Sequence, residues 1–293
     1  MNKVILLYGP TAVGKSSIAI ELAKLINGEI ISADSMQVYQ KLNVGTAKVT
    51  KEQMQGVPHH LLDILPPSQN YSVSDFCSDC NRLIEEIMAR GKTPIVVGGT
   101  GLYFKALIEG YDFGQTARDD DFRASLENLT NQELYKRICE YNPSITIDCN
   151  NRHRLVRALE LLVFGKMPTK KENVFKYSYK LFVISDDRKK VYERINKRVD
   201  EMVNEGILDE VKFLLSLNLP DDNLCLKAIG YKELIPYVNG EAPLKDCLEL
   251  LKQKTRNYAK RQFTFINQFK EKEVVNFCGV RETANIISKK IGE

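Results

Sequence analysis

Val4-Ile5-Leu6-Leu7-Tyr8-Gly9-Pro10-Thr11-Ala12-Val13-Gly14-Lys15-Ser16-Ser17 decides the fold. An apolar run ends at a glycine, and Gly14-Lys15-Ser16 follows. Apolar residues then recur at helical spacing: Ile18, Ala19, Leu22, Ala23, Leu25 and Ile26. The pattern G-x-x-x-x-G-K-[ST], set between a strand and a helix, is a P-loop. Its glycines let several backbone N–H groups converge without Cβ crowding. The helix N-terminus adds unpaired donors and the positive end of its dipole. Gly9, Pro10, Thr11, Ala12, Val13, Gly14, Lys15 and Ser16 are therefore expected to cradle a diphosphate or a longer phosphate chain. Lys15 supplies the full charge and Ser16 a hydroxyl for Mg2+.

The next strand pattern, Glu29-Ile30-Ile31-Ser32-Ala33-Asp34, comes too soon for anything but a right-handed β-α-β unit, so the sheet is expected to be parallel. Ligands of such sheets bind beyond the carboxyl ends of the strands. Asp34 is expected on that rim, followed by Ser35-Met36-Gln37-Val38-Tyr39; position alone leaves a turn or helix-cap role open. Residues 40–71 lack periodicity, and the pair His59-His60 within them reads as structural or substrate-lining. A helix is expected to start at Ser74-Asp75. Thr93-Pro94-Ile95-Val96-Val97 then reads as a buried strand delivering Gly98-Gly99-Thr100-Gly101 to the rim. Three glycines there suit close approach by a ligand, or a tight turn.

Composition limits the class. With 293 residues, 43% hydrophobic and 27% charged, the chain can bury a sizeable core. A net charge of +4 permits an anionic partner without requiring one. No apolar run approaches the ~20 residues of a membrane span, and no signal-peptide pattern is present. A cytoplasmic protein with free thiols is expected, since seven cysteines cannot all pair within one chain. No membrane and no obligate protein partner are called for.

Strand and helix stop alternating after Asp112. Residues 115–175 read as a helical insertion between a first core segment, 1–114, and a second, 176–293. One insertion helix is expected to include Arg123 with Phe122, Leu126 and Leu129, another Leu134, Tyr135 and Ile138. A third, from about Asn151 to Phe164 and stopped by Gly165-Lys166-Met167-Pro168, carries Arg152, His153, Arg154 and Arg157 between apolar residues. Lys166, Lys170, Lys171, Lys176 and Lys180 follow. Such a concentration suits a nucleic-acid backbone or a solvated face equally. Beyond the strand Leu181–Ser185, a helix begins at Asp186-Asp187 and carries Arg194, Lys197 and Arg198; starting past a strand end, it can swing an arginine to the phosphates. Lys252 to Phe265 holds five cations and no acid, with aromatics interleaved.

Read in order, these motifs resemble one family, the bacterial tRNA dimethylallyltransferases. Those that carry the resemblance are the P-loop, Asp34-Ser35-Met36-Gln37-Val38-Tyr39, Pro58-His59-His60-Leu61, Gly98-Gly99-Thr100-Gly101-Leu102-Tyr103, Asn151-Arg152-His153-Arg154 through Glu160, Ala228-Ile229-Gly230-Tyr231, and Thr255 to Gln262. The resemblance implies an α/β, P-loop NTPase-like parallel sheet flanked by helices, with a helical insertion domain. It implies transfer of a dimethylallyl group from dimethylallyl diphosphate to N6 of the adenosine 3′ of the anticodon, assisted by Mg2+. Asp34 would be the base, Thr100 would help position the reacting centre or the adenine, and Lys15 and Arg198 would hold the diphosphate. Asp34, Ser35, Met36, Gln37, Thr100, Arg123, His153, Arg154 and Arg157 would meet the tRNA anticodon stem-loop. The family's usual tryptophan is Phe265 here, and Asn267 replaces a common basic residue. A small-molecule kinase is the alternative reading of the same P-loop.

Overall fold

The computed structural model describes residues 3–110, 119–165 and 175–292. Val4–Tyr8 (β1) carries no charged side chain and is buried at every position, as a parallel strand covered on both faces must be. It is joined by Gly28–Ser32 (β2), His59–His60 (β3), Thr93–Gly98 (β4), Tyr179–Ser185 (β5) and Glu273–Asn276 (β6). The sheet order is β3-β2-β4-β1-β5-β6, and every neighbouring pair is parallel. Tyr8 is level with Gly98 on one side and Val183 on the other. The P-loop and the Gly98-Gly99-Thr100 turn therefore emerge side by side on one rim. The expected α/β fold with a parallel, P-loop-type sheet is the one observed.

Lys15–Leu25 (α1) follows the P-loop, and Asn27, at φ 50°, turns the chain into β2. The 40–71 stretch contains a one-turn helix, Lys51–Met54 (α2), besides β3. His60 Nε2 lies 2.7 Å from Glu29, which also pairs with Arg90 at 2.7 Å and Lys92 at 3.0 Å. His60 thus fastens the edge strand to β2, while the His59 ring stays with the Val57 carbonyl, 2.8 Å away. Val73–Ala89 (α3) starts before the expected Ser74, because Ser72 and Asp75 form a reciprocal capping box. Gly101–Glu109 (α4) follows β4.

The chain forms two compact units: one from the segments up to Ala106 and from Tyr177 onward, the other from the described residues between Leu107 and Lys176. In the second, Asp120–Ser125 (α5), Asn131–Tyr141 (α6) and Arg152–Phe164 (α7) surround Leu126, Leu134, Ile138, Leu155 and Leu159. The helix expected to run through Leu129 stops at Ser125. Thr130 and Glu133 cap a new helix instead, and Arg152 takes the carbonyls of Leu126, Glu127 and Leu129. Lys166, Met167, Pro168, Lys170 and Lys171, like the segment after Gly110 where the alternation lapses, lie outside the described residues.

Glu160 of α7 is fully buried. It accepts from Arg123 at 3.0 and 2.8 Å, Arg157 at 2.5 Å and the Asp119 N–H at 2.9 Å. Burial raises its pKa, but Arg123, the Asp119 N–H and Arg157 outweigh that and hold it at about 2, against 4.5. Its stabilising contribution is therefore complete above pH 4.5 and is lost as pH falls toward 2. Glu160→Ala is expected to cost about 3 kcal/mol, since both guanidiniums lose their buried partner while keeping some water. Urea unfolding at neutral pH reads the cost, and repeating it across the acid range shows whether Glu160 carries this pH dependence.

The first unit is completed by Arg188–Glu205 (α8), Ile207–Ser216 (α9), Leu224–Lys227 (α10), Tyr231–Val238 (α11), Leu244–Phe265 (α12) and Val280–Gly292 (α13). Asp187 caps α8, and Gly206, at φ 100°, ends it. α13 packs on α1, while α12 packs on α8 and α11. The C-terminal end of α12 meets the rim: Phe265 joins Tyr8 and Phe269, with ring centroids 6.4 and 5.7 Å away. Among the described residues no helix is long and apolar enough to cross a membrane.

Candidate active site

The P-loop takes the shape its sequence demands. Gly14 lies at φ 94°, where a side chain is strained, and no side chain caps α1. Its first N–H groups are thus left for a ligand. Gly14, Lys15, Ser16 and Ser17 line a cavity of about 760 Å³. Lys15 Nζ donates to the Pro10 carbonyl at 2.7 Å. Burial lowers the Lys15 pKa to about 7; Arg198 lowers it further and Asp34 opposes both. An anion in the cradle would supply the missing counter-charge.

Asp34 lies two residues past β2. Its Oδ1 accepts from the Met36 N–H at 2.9 Å, so the carboxylate is fixed by a short Asx turn. Burial pushes its pKa up, against the Met36 and Gln37 N–H groups and the charges of Lys15 and Lys48. A second cavity of about 320 Å³ shares Thr11, Asp34, Arg198, Met202 and Tyr258 with the first. Asp34 stands where the two meet. Burial also lowers the pKa of Arg198, with Glu205 and Glu201 opposing. Two basic groups and one carboxyl, all displaced by burial in one cleft, mark a site built for charge.

The glycines after β4 have a different neighbour from the ligand expected of them. An added Cβ would lie 2.1 Å from the Ala33 carbonyl oxygen at Gly98, 2.2 Å from Gln262 Nε2 at Gly99, and 2.3 Å from the Phe265 ring at Gly101. In the Cβ direction what approaches them is protein, while Gly98 and Gly99 also line the first cavity. Gln262, buried on α12, accepts from the Thr11 N–H and donates to the Gly99 carbonyl, both at 2.8 Å. It links the phosphate loop to the Thr100 turn. Phe265, standing for the family tryptophan, covers Gly101, so an aromatic remains in the place that the turn needs filled.

The other expected residues divide. Thr100 Oγ1 accepts from the Ser35 N–H at 3.2 Å, joining the two rim segments. Met36 faces the second cavity and Gln37 the first, where Gln37 Nε2 donates to the Thr46 carbonyl at 3.1 Å. Thr11 and Ala12 line the first cavity; Gly9, Pro10 and Val13 are buried behind it. In the helical unit Arg123 and Arg157 hold Glu160, while His153 and Arg154 are exposed on α7.

Three residues in the site have no assigned role in the sequence reading. Tyr258 bonds Thr100 and Gln262 and lies beside Asp34; burial first, then Asp34, raises its pKa. Tyr258 and Gln262 stand four apart on one face of α12, a spacing that could have paired them. Lys48, almost fully buried, donates to the Tyr39 carbonyl at 2.7 Å and to Asp63 at 2.5 Å. Nothing in its aperiodic stretch marks it.

The model of the IPP transferase family matches residues 37–269. A tRNA dimethylallyltransferase of Lactococcus lactis subsp. cremoris is 46% identical over 275 residues, covering 93% of this chain and 92% of its own. One from Streptococcus agalactiae is 45% identical over 283 residues, covering 96% and 93%. A crystal structure of a tRNA isopentenylpyrophosphate transferase from Bacillus halodurans matches with TM-score 0.77 and 38% identity, covering 100% of this chain and 96% of that one. A eukaryotic dimethylallyltransferase acting on tRNA matches with TM-score 0.81 and 29% identity, covering 94% and 74%. Family match, identity and fold agree over nearly the whole length, and this chain belongs to the IPP transferase family of tRNA dimethylallyltransferases.

Proposed function

We propose that this chain transfers a dimethylallyl group from dimethylallyl diphosphate to N6 of the adenosine 3′ of the anticodon in tRNA, releasing diphosphate. The observation that carries this reading is the place of Asp34: a half-buried carboxyl at the junction of two cavities, with the P-loop cation on one side. The diphosphate occupies the cradle of Gly14, Lys15 and Ser16, and Arg198 closes on it. N6 attacks the allylic carbon as the carbon–oxygen bond breaks. The electron pair leaves on the diphosphate, where Lys15, Arg198 and the α1 N-terminus stabilise it. Asp34 takes the proton from N6. Thr100, held to the Ser35 backbone, and Tyr258 beside it position the base, which must leave its stack to reach the cavity.

The donor set suits Mg2+. The Ser16 hydroxyl stands at the cradle next to Lys15, and Mg2+ characteristically takes most of its ligands from phosphate oxygens and water. When bound, the metal would neutralise charge on the leaving diphosphate. Ser35, Met36 and Gln37 face the acceptor, and exposed His153 and Arg154 offer a basic surface to the anticodon stem-loop. Arg123 and Arg157 serve that surface by fixing α7 through Glu160. A cytoplasmic location belongs to the same reading, since the tRNA substrate is itself cytoplasmic.

The test is nucleoside analysis after incubation with dimethylallyl diphosphate, Mg2+ and an unmodified tRNA with an adenine-rich anticodon loop. Prenylated adenosine and inorganic diphosphate are expected in equal amounts, with tRNA affinity falling steeply as salt rises. No prenylated nucleoside would overturn the reading. The named relatives do not favour the small-molecule kinase, which would yield ADP from ATP instead.

A further inference from the structure

The wall shared by the two cavities is a loop without regular structure, and one distant carboxylate holds it. Glu210 Oε1, from α9, accepts from the Asn43 and Val44 N–H groups, both at 2.7 Å; Oε2 accepts from the Gly45 N–H at 3.1 Å. Three successive backbone N–H groups converging on one anion form a nest. The Tyr231 hydroxyl of α11 donates to the same Oε2 at 2.8 Å. Tyr231 also fills the space beneath Gly45, where an added Cβ would lie 2.5 Å from its ring. The next residues, Thr46 and Ala47, line both cavities, and the Thr46 carbonyl accepts from Gln37. The loop is thus fastened by Glu210, which lines neither cavity, while Asn43 and Val44 face the first cavity, Gly45 the second, and Thr46 and Ala47 both.

We infer that Glu210 is a positioning residue for the transfer reaction: with Tyr231 it holds residues 43–47 as the common wall of the two cavities. It touches neither donor nor acceptor. This rests on the reading of the cavities as the reaction site. A glutamine at 210 would turn one oxygen into an N–H donor facing N–H or O–H donors. A shorter aspartate keeps the charge.

The experiment compares wild type, Glu210→Gln, Glu210→Asp and Glu29→Gln, the last breaking a buried carboxylate cluster at the sheet edge. Hydrogen exchange of the peptide spanning 43–47 is read first, because it needs no activity. Glu210→Gln is expected to lose protection there, to raise KM for tRNA and donor about tenfold or more, the scale of one lost hydrogen bond to a charge, and to melt near wild type. Glu210→Asp should recover part of both losses, and Glu29→Gln should lower the melting temperature without moving KM. If Glu210→Gln does not fold, Tyr231→Phe removes a single donor from the same carboxylate, and its exchange at 43–47 is read in its place, since Tyr231 itself lines the second cavity. Retained protection would show that Glu210 does not hold the loop. Lost protection with wild-type KM and kcat would show that the reaction does not need it held. Either result overturns the proposal. A wild-type protein that yields no prenylated tRNA would instead overturn the functional reading, with the exchange result standing by itself.

Discussion

Asp34→Asn is expected to lower kcat for prenyl transfer by about 10²–10⁴, the usual worth of a general base. The amide keeps an oxygen for the Met36 N–H, so the Asx turn and the shape of the rim should survive. What it loses is basicity. Affinity for tRNA should fall far less than kcat. The pH dependence gives a second reading. Burial raises the Asp34 pKa, and only the deprotonated carboxylate accepts a proton, so wild-type kcat/KM should fall as pH drops through the raised value. The asparagine variant should lack that acid limb. Single-turnover measurements with bound tRNA isolate the chemical step, and wild-type rates for the variant would remove Asp34 as the base.

The second large effect belongs to Lys15. Its pKa of about 7 belongs to a cradle without its anion. Below that value Lys15 is already charged and diphosphate binds without a proton. Above it the free lysine is neutral, the bound one is charged, and binding must take up a proton. Because diphosphate itself titrates near neutrality, the reading is the ratio of wild-type to Lys15→Met affinity, which should be flat below pH 7 and fall above it, by up to about tenfold per pH unit. Calorimetry in two buffers of different ionisation enthalpy would reveal the proton uptake directly. Lys15→Met should lack the lysine's share of that uptake and lower kcat by about 10²–10³, the scale of losing one preorganised group at the developing charge. A wild-type-to-variant affinity ratio independent of pH across this range would refute the assignment.

Much of the site was legible because its chemistry is local. The P-loop is a run of adjacent residues whose backbone shape and side chains act together. Asp34 was placed by a strand pattern and a rule about where parallel sheets bind ligands. The glycines after β4 were legible as a place of close approach, but not as to what approaches. Ala33, Gln262 and Phe265 fill those spaces, and two of them come from a helix more than 160 residues away. Arg123 and Arg157 had the charge expected of RNA contacts. Only the packed helices bring Glu160 beneath them.

The parallel sheet, the phosphate cradle, the carboxylate on its rim and, through several motifs in order, the family are all readable from the amino-acid order. Each is written in short-range spacing, because backbone hydrogen bonding and side-chain periodicity repeat over a few residues. The tertiary structure decided how those parts are held. Gln262 reaches Thr11 across 251 residues, and Glu210 reaches Gly45 across 165. Such bonds depend on where whole helices dock, which is set by the complementarity of large apolar faces and leaves no periodic trace around the residues that finally meet.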